Sequence, residues 1–410
     1  MSTVTSKFRA IAANETLSGA ILLFAALAAI VWANSPWQQA YHDLSDFTFG
    51  PEALHLNLSV ASWAADGLLA LFFFVVGVEL KHELTVGSLS KPKEAAVPVF
   101  AAIGGMIVPA VLFAVLVVAL GDPGALHGWA IPTATDIAFA VGVLALFGKG
   151  LPKALRLFLL TLAVVDDLLA IIVIAVFYTS DLSFLLLGAS LAVVAVFAFV
   201  VRSRHAHWWI LIPLALVAWG LMHASGVHAT IAGVLLGLTV PSRVLFGEKH
   251  PRTKRFEHAV SPVSSGIALP IFAFFAAGVT VSGSGSLGEV LSQPVFIAVF
   301  FGLVVGKVVG VLAATSLVVK FTPLRLPDAI GVRDLLPVGF LCGIGFTVAL
   351  LVAELSYPDT EHTAAAKLAI LIGSVAAAIL GAVMLRWDAR KARHQDMNQD
   401  GMTDVNVELM

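Results

Sequence analysis

Two adjacent carboxylates, Asp166 and Asp167, stand in the middle of a run from Ala154 to Tyr178 that is otherwise almost wholly apolar. Paired acids take up protons, and when ionised they offer the oxygen ligands that a small, hard cation prefers. The run is long enough to cross a bilayer, where each ionised carboxylate costs about 2.5 to 3.5 kcal/mol on insertion scales. Two in succession need a compensating purpose, and ion or proton movement is the usual one. Lys307 poses the complementary problem. It lies about 12 residues from either end of its own apolar stretch, about 18 Å at the helical rise. No lysine side chain reaches water over that distance, so Lys307 calls for a buried anion or a water-filled cavity. Asp136, in Pro132-Thr133-Ala134-Thr135-Asp136, is a third carboxylate at membrane depth.

Elements that could hold such charges follow from composition and spacing. Hydrophobic residues make up 59% of the 410 residues and charged ones 12%, where soluble domains carry about 25% charged. The chain is therefore expected to be an all-α integral membrane protein. Its net charge of -2 gives no footprint for nucleic acid, and its single cysteine, Cys342, excludes an internal disulfide or a cysteine-built metal centre. Twelve apolar stretches near the length of about 20 residues that spans a bilayer cover 12–33, 59–80, 95–120, 127–147, 154–178, 182–201, 208–222, 226–241, 257–281, 294–319, 331–355 and 364–387. Of the 24 basic residues, 22 fall at the chain ends or in alternate connections. This places both ends in the cytoplasm by the positive-inside rule. The exceptions are Lys307 and Lys367, and Lys367 is expected to snorkel to the headgroups.

Stretches four and eleven are interrupted. Pro132 removes a backbone donor and, with two threonines beside it, predicts two half-helices with Asp136 at the break. Asp136 then serves as a cap on a half-helix, as an ion ligand, or as both. In Gly339-Phe340-Leu341-Cys342-Gly343-Ile344-Gly345-Phe346-Thr347, three glycines in seven residues loosen the helix or let neighbours pack closely. Paired interruptions at corresponding places point to a transporter's binding site. Segments about 95–178 and 294–387 start on opposite sides of the membrane, so an inverted repeat is expected.

These residues resemble the NhaA-type sodium/proton antiporters over about residues 12 to 388. The resemblance rests on Phe74-Val75-Val76-Gly77-Val78-Glu79-Leu80-Lys81, Pro132-Thr133-Ala134-Thr135-Asp136, Ala163-Val164-Val165-Asp166-Asp167, Gly306-Lys307 and Cys342-Gly343-Ile344-Gly345-Phe346-Thr347. It implies that Asp167 is the principal ligand for cation and proton. Asp166 is implied to be its partner and the salt-bridge mate of Lys307, with Thr135 as a nearby oxygen donor. Asp136 and Lys307 are implied to balance the dipoles where two broken helices cross. Glu79, Glu83, Glu257 and His258 match the family's pH-responsive region, and His228 matches a histidine linked to pH response. Two positions depart from the pattern: His82 stands where arginine is expected, and Ser261 where a second histidine is usual. These changes put the pH threshold in question rather than the reaction.

The expected function is export of sodium (or lithium) in exchange for protons, with the two ions competing for buried aspartates and the site facing one side at a time. Two titratable groups at the site favour more than one proton per cation, hence electrogenic exchange. No cofactor and no enzymatic chemistry are expected. The strongest rival is a sodium-coupled symporter of an organic anion, with Lys307 neutralising the substrate. An intramembrane aspartyl protease needs its acids on facing helices, whereas Asp166 and Asp167 share one, and a retinal pump fits poorly with twelve helices. Histidine as a residue type changes charge near neutrality, so His82, His250 and His258 are expected either as solvated loop residues or as a gate, and the resemblance favours the gate for His258 alone. Phe47, Phe49, Leu54, Leu56 and Leu58 alternate with polar residues about Gly50-Pro51, which predicts an external hairpin over about 45–58. Such a hairpin is marginal alone, and a homodimer formed through it is expected. Residues 1–388 form one transmembrane domain in a bacterial inner membrane, and 389–410 a polar, solvated, flexible cytoplasmic tail. Lys7 and Arg9 before an apolar run mimic a signal peptide, although the run is long for one.

Overall fold

Apolar runs of this length have one low-energy form in lipid, the helix, which pairs its own backbone groups. The computed structural model describes residues 15–52, 56–179, 182–280, 287–390, 396–398, 404 and 408–410. Lys7, Arg9, Leu54, Lys391 and Arg393 lie outside the described residues. The helices are α1 (Glu15–Ala33), α2 (Gln38–Asp46), α3 (Val60–Thr85), α4 (Pro92–Ala119), a 3-10 helix (Pro123–Thr133), α5 (Ile137–Phe147), α6 (Lys153–Phe177), α7 (Phe184–Arg202), α8 (Trp208–Ala224) and α9 (Thr230–Thr239). They continue with α10 (Arg252–Ala276), α11 (Leu287–Ser292), α12 (Pro294–Phe321), α13 (Leu335–Cys342), α14 (Phe346–Ser356) and α15 (Thr360–Ala389). Two short strands, β1 (Thr48–Phe49) and β2 (Leu58–Ser59), pair antiparallel with Thr48 opposite Ser59 and Phe49 opposite Leu58.

Among the described residues, seven helices are long and apolar enough to span a bilayer, three further pairs pass the same test across a bend, and α8 and α9 are shorter apolar helices. Together they occupy the twelve stretches marked in the sequence. Apolar side chains such as Leu185 and Phe199 point outward, 83% and 76% exposed. That surface suits lipid rather than water.

The chain divides into two units, Met1–Ser90 with Ile171–Gly278, and Lys91–Ala170 with Val279–Met410. In the first, Val78 of α3 packs with Phe197, Leu211, Val240 and Phe256. A second cluster joins Trp219, Met222 and Ile231. Tyr41 of α2 is buried against Ala29, Ala33 and Phe274, and its hydroxyl donates to the Phe274 carbonyl at 2.8 Å.

In the second unit both predicted interruptions are present. The 3-10 helix and α5 meet at 51°, and the helix ending at Cys342 meets α14 at 52°. A π-helical turn, Gly302–Gly306, interrupts α12 immediately before Lys307. Extra residues of this kind re-aim a helix face and recur at functional sites. Gly302 and Gly306 also permit a close approach: a Cβ on Gly306 would fall 2.8 Å from the Pro109 Cα, and one on Gly302 2.6 Å from the Pro132 Cβ.

Two expectations are corrected. Lys367 does not reach out alone, because its Nζ pairs with Glu354 of α14 at 2.9 Å. A partner supplied by the neighbouring helix removes the need to snorkel. The described residues of the tail are not simply solvated. Asn398 donates to the Leu326 carbonyl at 3.2 Å, Met410 N–H donates to the Leu151 carbonyl at 2.8 Å, and Lys153 pairs with Glu408 at 2.9 Å. The connections at 148–153 and 326–331 present backbone groups that need partners, and the tail provides them.

Candidate ion-binding site

Asp166 and Asp167 follow one another on α6, about 100° apart around its axis. Both are buried, as are Asp136, Thr135, Thr133 and Lys307. Lys307 Nζ donates to Asp166 Oδ2 at 2.8 Å, to Thr135 Oγ1 at 3.1 Å and to the Thr133 carbonyl. An ammonium has three N–H donors, and all three are used. The acceptors are where proline and threonine break the helix. Pro132 cannot continue the hydrogen-bond ladder, and Ala134 beyond it is extended, which leaves the Thr133 carbonyl free to accept from a side chain.

Asp136 is the N-cap of α5. Its Oδ1 accepts from the Phe139 N–H at 3.0 Å, and its Oδ2 accepts from Thr347 Oγ1 at 2.8 Å and the Thr347 N–H at 3.3 Å. Thr347 is the second residue of α14, so one carboxylate sits at the N-terminal ends of two half-helices. Each end carries the equivalent of about half a positive charge. Two further bonds stitch the breaks together: Thr135 Oγ1 donates to the Cys342 carbonyl at 2.8 Å, and Asp136 N–H to the Ile344 carbonyl at 2.6 Å.

Asp166 Oδ1 is buried with no hydrogen-bond partner among the described residues. A buried, unsatisfied carboxylate oxygen is costly, and the next residue along the same helix is a second acid. Among the described residues no group of three or more His, Cys, Asp or Glu side chains is placed to hold a metal ion. Two carboxylates do not fill the shell of a hard cation, which hydroxyl, backbone or water oxygens would complete.

The structure thus brings Asp166, Thr135, Asp136 and Lys307 together in one unit, with Asp167 next to Asp166. The residues tied to pH response by resemblance lie in the other unit. Glu83 Oε2 accepts from the Ser88 N–H and hydroxyl, both at 2.9 Å, and fastens the end of α3. Glu79 stands one turn earlier on the same helix, while on α10 Glu257 is half-buried and His258 exposed. His82 Nδ1 is buried without a hydrogen-bond partner among the described residues. His228 belongs to neither group: its Nε2 is 3.3 Å from Asp66, which also faces His223 at 3.7 Å. Asp66 and Glu83 lie on α3 about 25 Å apart at the helical rise, so His228 is at the opposite end of that helix from Glu83.

Thr347, the Thr133 carbonyl and the Cys342 carbonyl are functional groups that residue types alone did not single out. Thr347 closes the Cys342–Thr347 motif, but its hydroxyl acquires a role only when the two breaks meet.

Residues 9–385 match the family described as Na+/H+ antiporter 1. The chain is 54% identical over 400 residues to a protein of Mycolicibacterium smegmatis named Na(+)/H(+) antiporter NhaA, covering 96% of this chain and 92% of that one. It is 52% identical over 410 residues to the Na(+)/H(+) antiporter NhaA 2 of Kineococcus radiotolerans, covering 96% and 88%. With the NhaA 3 of Streptomyces coelicolor it shares 51% identity over 386 residues, covering 94% and 80%. With its two interrupted helices and its buried aspartates and lysine, the chain belongs to the NhaA family of Na+/H+ antiporters, transporters rather than enzymes.

Proposed function

We propose that this protein exchanges sodium or lithium for protons across a bacterial inner membrane, with both chain ends in the cytoplasm and Asp166 and Asp167 as the shared binding site. The observation that carries this reading is the buried Lys307–Asp166 pair at the helix breaks, with no hydrogen-bond partner for Asp166 Oδ1 among the described residues. A cation arriving at the aspartates competes with the ammonium for Asp166. An oxygen that has taken a proton no longer ligates a cation. Exchange follows if the site opens to one side at a time and crosses only when loaded with cation or with protons.

Two titrating groups, the aspartate pair or Asp167 with Lys307, allow more than one proton per cation, which makes exchange electrogenic. Regulation by pH is assigned to Glu79, Glu83, Glu257 and His258 at one end of the first unit and to His228 at the other. The strand pair β1 and β2 offers an edge for a second copy, as in other strand-addition contacts, and we assign it the homodimer contact. Symport of an organic anion is disfavoured, because the three donors of Lys307 are already engaged.

Sodium-dependent proton release from inverted vesicles, with no organic solute present, tests the exchange. Its absence would overturn the reading. Transport in liposomes that neither generates nor responds to a membrane potential would remove electrogenicity alone.

A further inference from the structure

A second set of charged groups stands well away from the aspartates. Asp122 immediately precedes the 3-10 helix, the first half of one interrupted helix. Asp359 lies three residues beyond Ser356, where the second half of the other interrupted helix ends. His362, on the first turn of α15, lies between them. Its Nδ1 is 2.9 Å from Asp359 Oδ2 and its Nε2 is 3.1 Å from Asp122 Oδ2. Asp359 also caps α15 by accepting the His362 N–H at 2.8 Å.

The chemistry of the ring makes this arrangement sensitive to protons. An ionised carboxylate only accepts hydrogen bonds, and a neutral imidazole has one N–H to give. Two carboxylates facing both ring nitrogens are satisfied together only by the imidazolium. Partial desolvation pushes the Asp359 carboxyl up, but the hydrogen bonds from the His362 N–H and ring outweigh it and hold Asp359 below the usual carboxylate range. Asp359 therefore stays ionised near neutrality, and the ring is the partner whose state changes. His362 is 32% exposed and Asp122 26%, so protons of the adjoining medium reach them.

The other titratable groups at this end of the unit are Tyr357, Glu354, Glu361, Lys367, His127 and Glu289. The Tyr357 ring packs on His362 with centroids 5.4 Å apart, and its hydroxyl donates to the Ala125 carbonyl at 2.8 Å. Glu361 accepts from Gln293, and Glu354 pairs with Lys367. His127 lies on the 3-10 helix and Glu289 on α11.

We propose that His362, clasped between Asp122 and Asp359, is a proton-operated latch that fastens the outer ends of the two interrupted helices and slows outward opening when the external medium is acidic. This rests on the orientation proposed above, which places Asp122 and Asp359 outside. When external pH rises and the ring loses its second N–H, one of the two bonds is lost and the outer ends part more readily.

The test uses the full chain and the His362→Gln and Asp122→Asn variants in right-side-out and inverted vesicles. Isotopic sodium-for-sodium exchange is followed at fixed pH inside, with the outside pH varied from about 6 to 8.5. In right-side-out vesicles the wild type should slow on acidification about threefold more than either variant, the scale of a partly exposed ion pair, and match them at the alkaline end. If the extra response appears only in inverted vesicles, the latch stands and the orientation falls. Parallel profiles in both preparations overturn the latch. Hydrogen exchange over residues 120–125 and 356–362, corrected for intrinsic rates, supplies a readout independent of transport. Greater protection at acidic than at alkaline pH should appear in the wild type and vanish in His362→Gln, and equal behaviour would also overturn the proposal.

Discussion

Asp136 and Thr347, separated by 211 residues, meet where the two interrupted helices cross, with the Thr347 hydroxyl 2.8 Å from Asp136 Oδ2. One carboxylate accepts from the start of α5 with one oxygen and from the start of α14 with the other, so a single side chain serves both half-helix ends, beside the Thr135–Cys342 and Asp136–Ile344 bonds. Thr347→Val keeps the shape and deletes the hydroxyl donor. It should destabilise the protein by about 1 to 3 kcal/mol and weaken apparent sodium affinity several-fold, while Thr347→Ser behaves as the parent. Thermal unfolding in detergent and the sodium dependence of exchange check this; indistinguishable Val and Ser variants would refute it.

Lys307 and Asp166 form an ion pair in which both side chains are 1% exposed. Removing one partner of such a pair strands a buried charge and costs about 3 to 5 kcal/mol. Asp166→Asn should therefore lower stability markedly, and adding Lys307→Gln should recover much of the loss. A double-mutant cycle on unfolding measures the coupling. Additive losses would mean that the pair contributes nothing. Exchange should be lost in the Asp166→Asn, Asp167→Asn double variant.

The first unit separates its titratable groups along α3, with Glu79 and Glu83 towards one end and Asp66, His223 and His228 towards the other. His258 is exposed on α10. His258→Ala should shift the pH profile of exchange while leaving sodium affinity at the alkaline plateau within about twofold, since exposed substitutions rarely perturb a fold. An unshifted profile would remove His258 from the pH response.

Much of the fold was legible because lipid enforces simple rules. Run length located the spans, and Pro132 and the glycines of 339–345 located the breaks. The sequence placed Lys307 too far from its helix ends to reach bulk water and so called for a buried anion or a water-filled cavity, but residue types alone did not choose between them, and Asp166 entered only through the resemblance. Thr347 and the carbonyls of Thr133 and Cys342 were not legible, since each gains its role from a contact across more than 170 residues. Lys367 was misread for the same reason. Its partner Glu354 sits 13 residues away on the preceding helix, and only the packing of α14 against α15 puts them together. The tail shows the opposite limit, because polar composition says that a segment tolerates water, not that it lacks partners.

Lys307 also bears on the charge moved per cycle. Its ammonium is held by Asp166, Thr135 and the Thr133 carbonyl, all acceptors. A cation that takes Asp166 from it removes the one negative partner among them. The ammonium is then left between neutral oxygens at membrane depth, where an unpaired charge is costly. If Lys307 is one of the titrating groups, Lys307→Gln carries one proton fewer per cation. The variant should be less stable than its parent and slower, yet retain measurable exchange that no longer responds to an imposed membrane potential. Liposomes with a potassium diffusion potential make the comparison. A Lys307→Gln variant whose exchange still accelerates with potential as the parent does would assign the second proton to the aspartate pair instead.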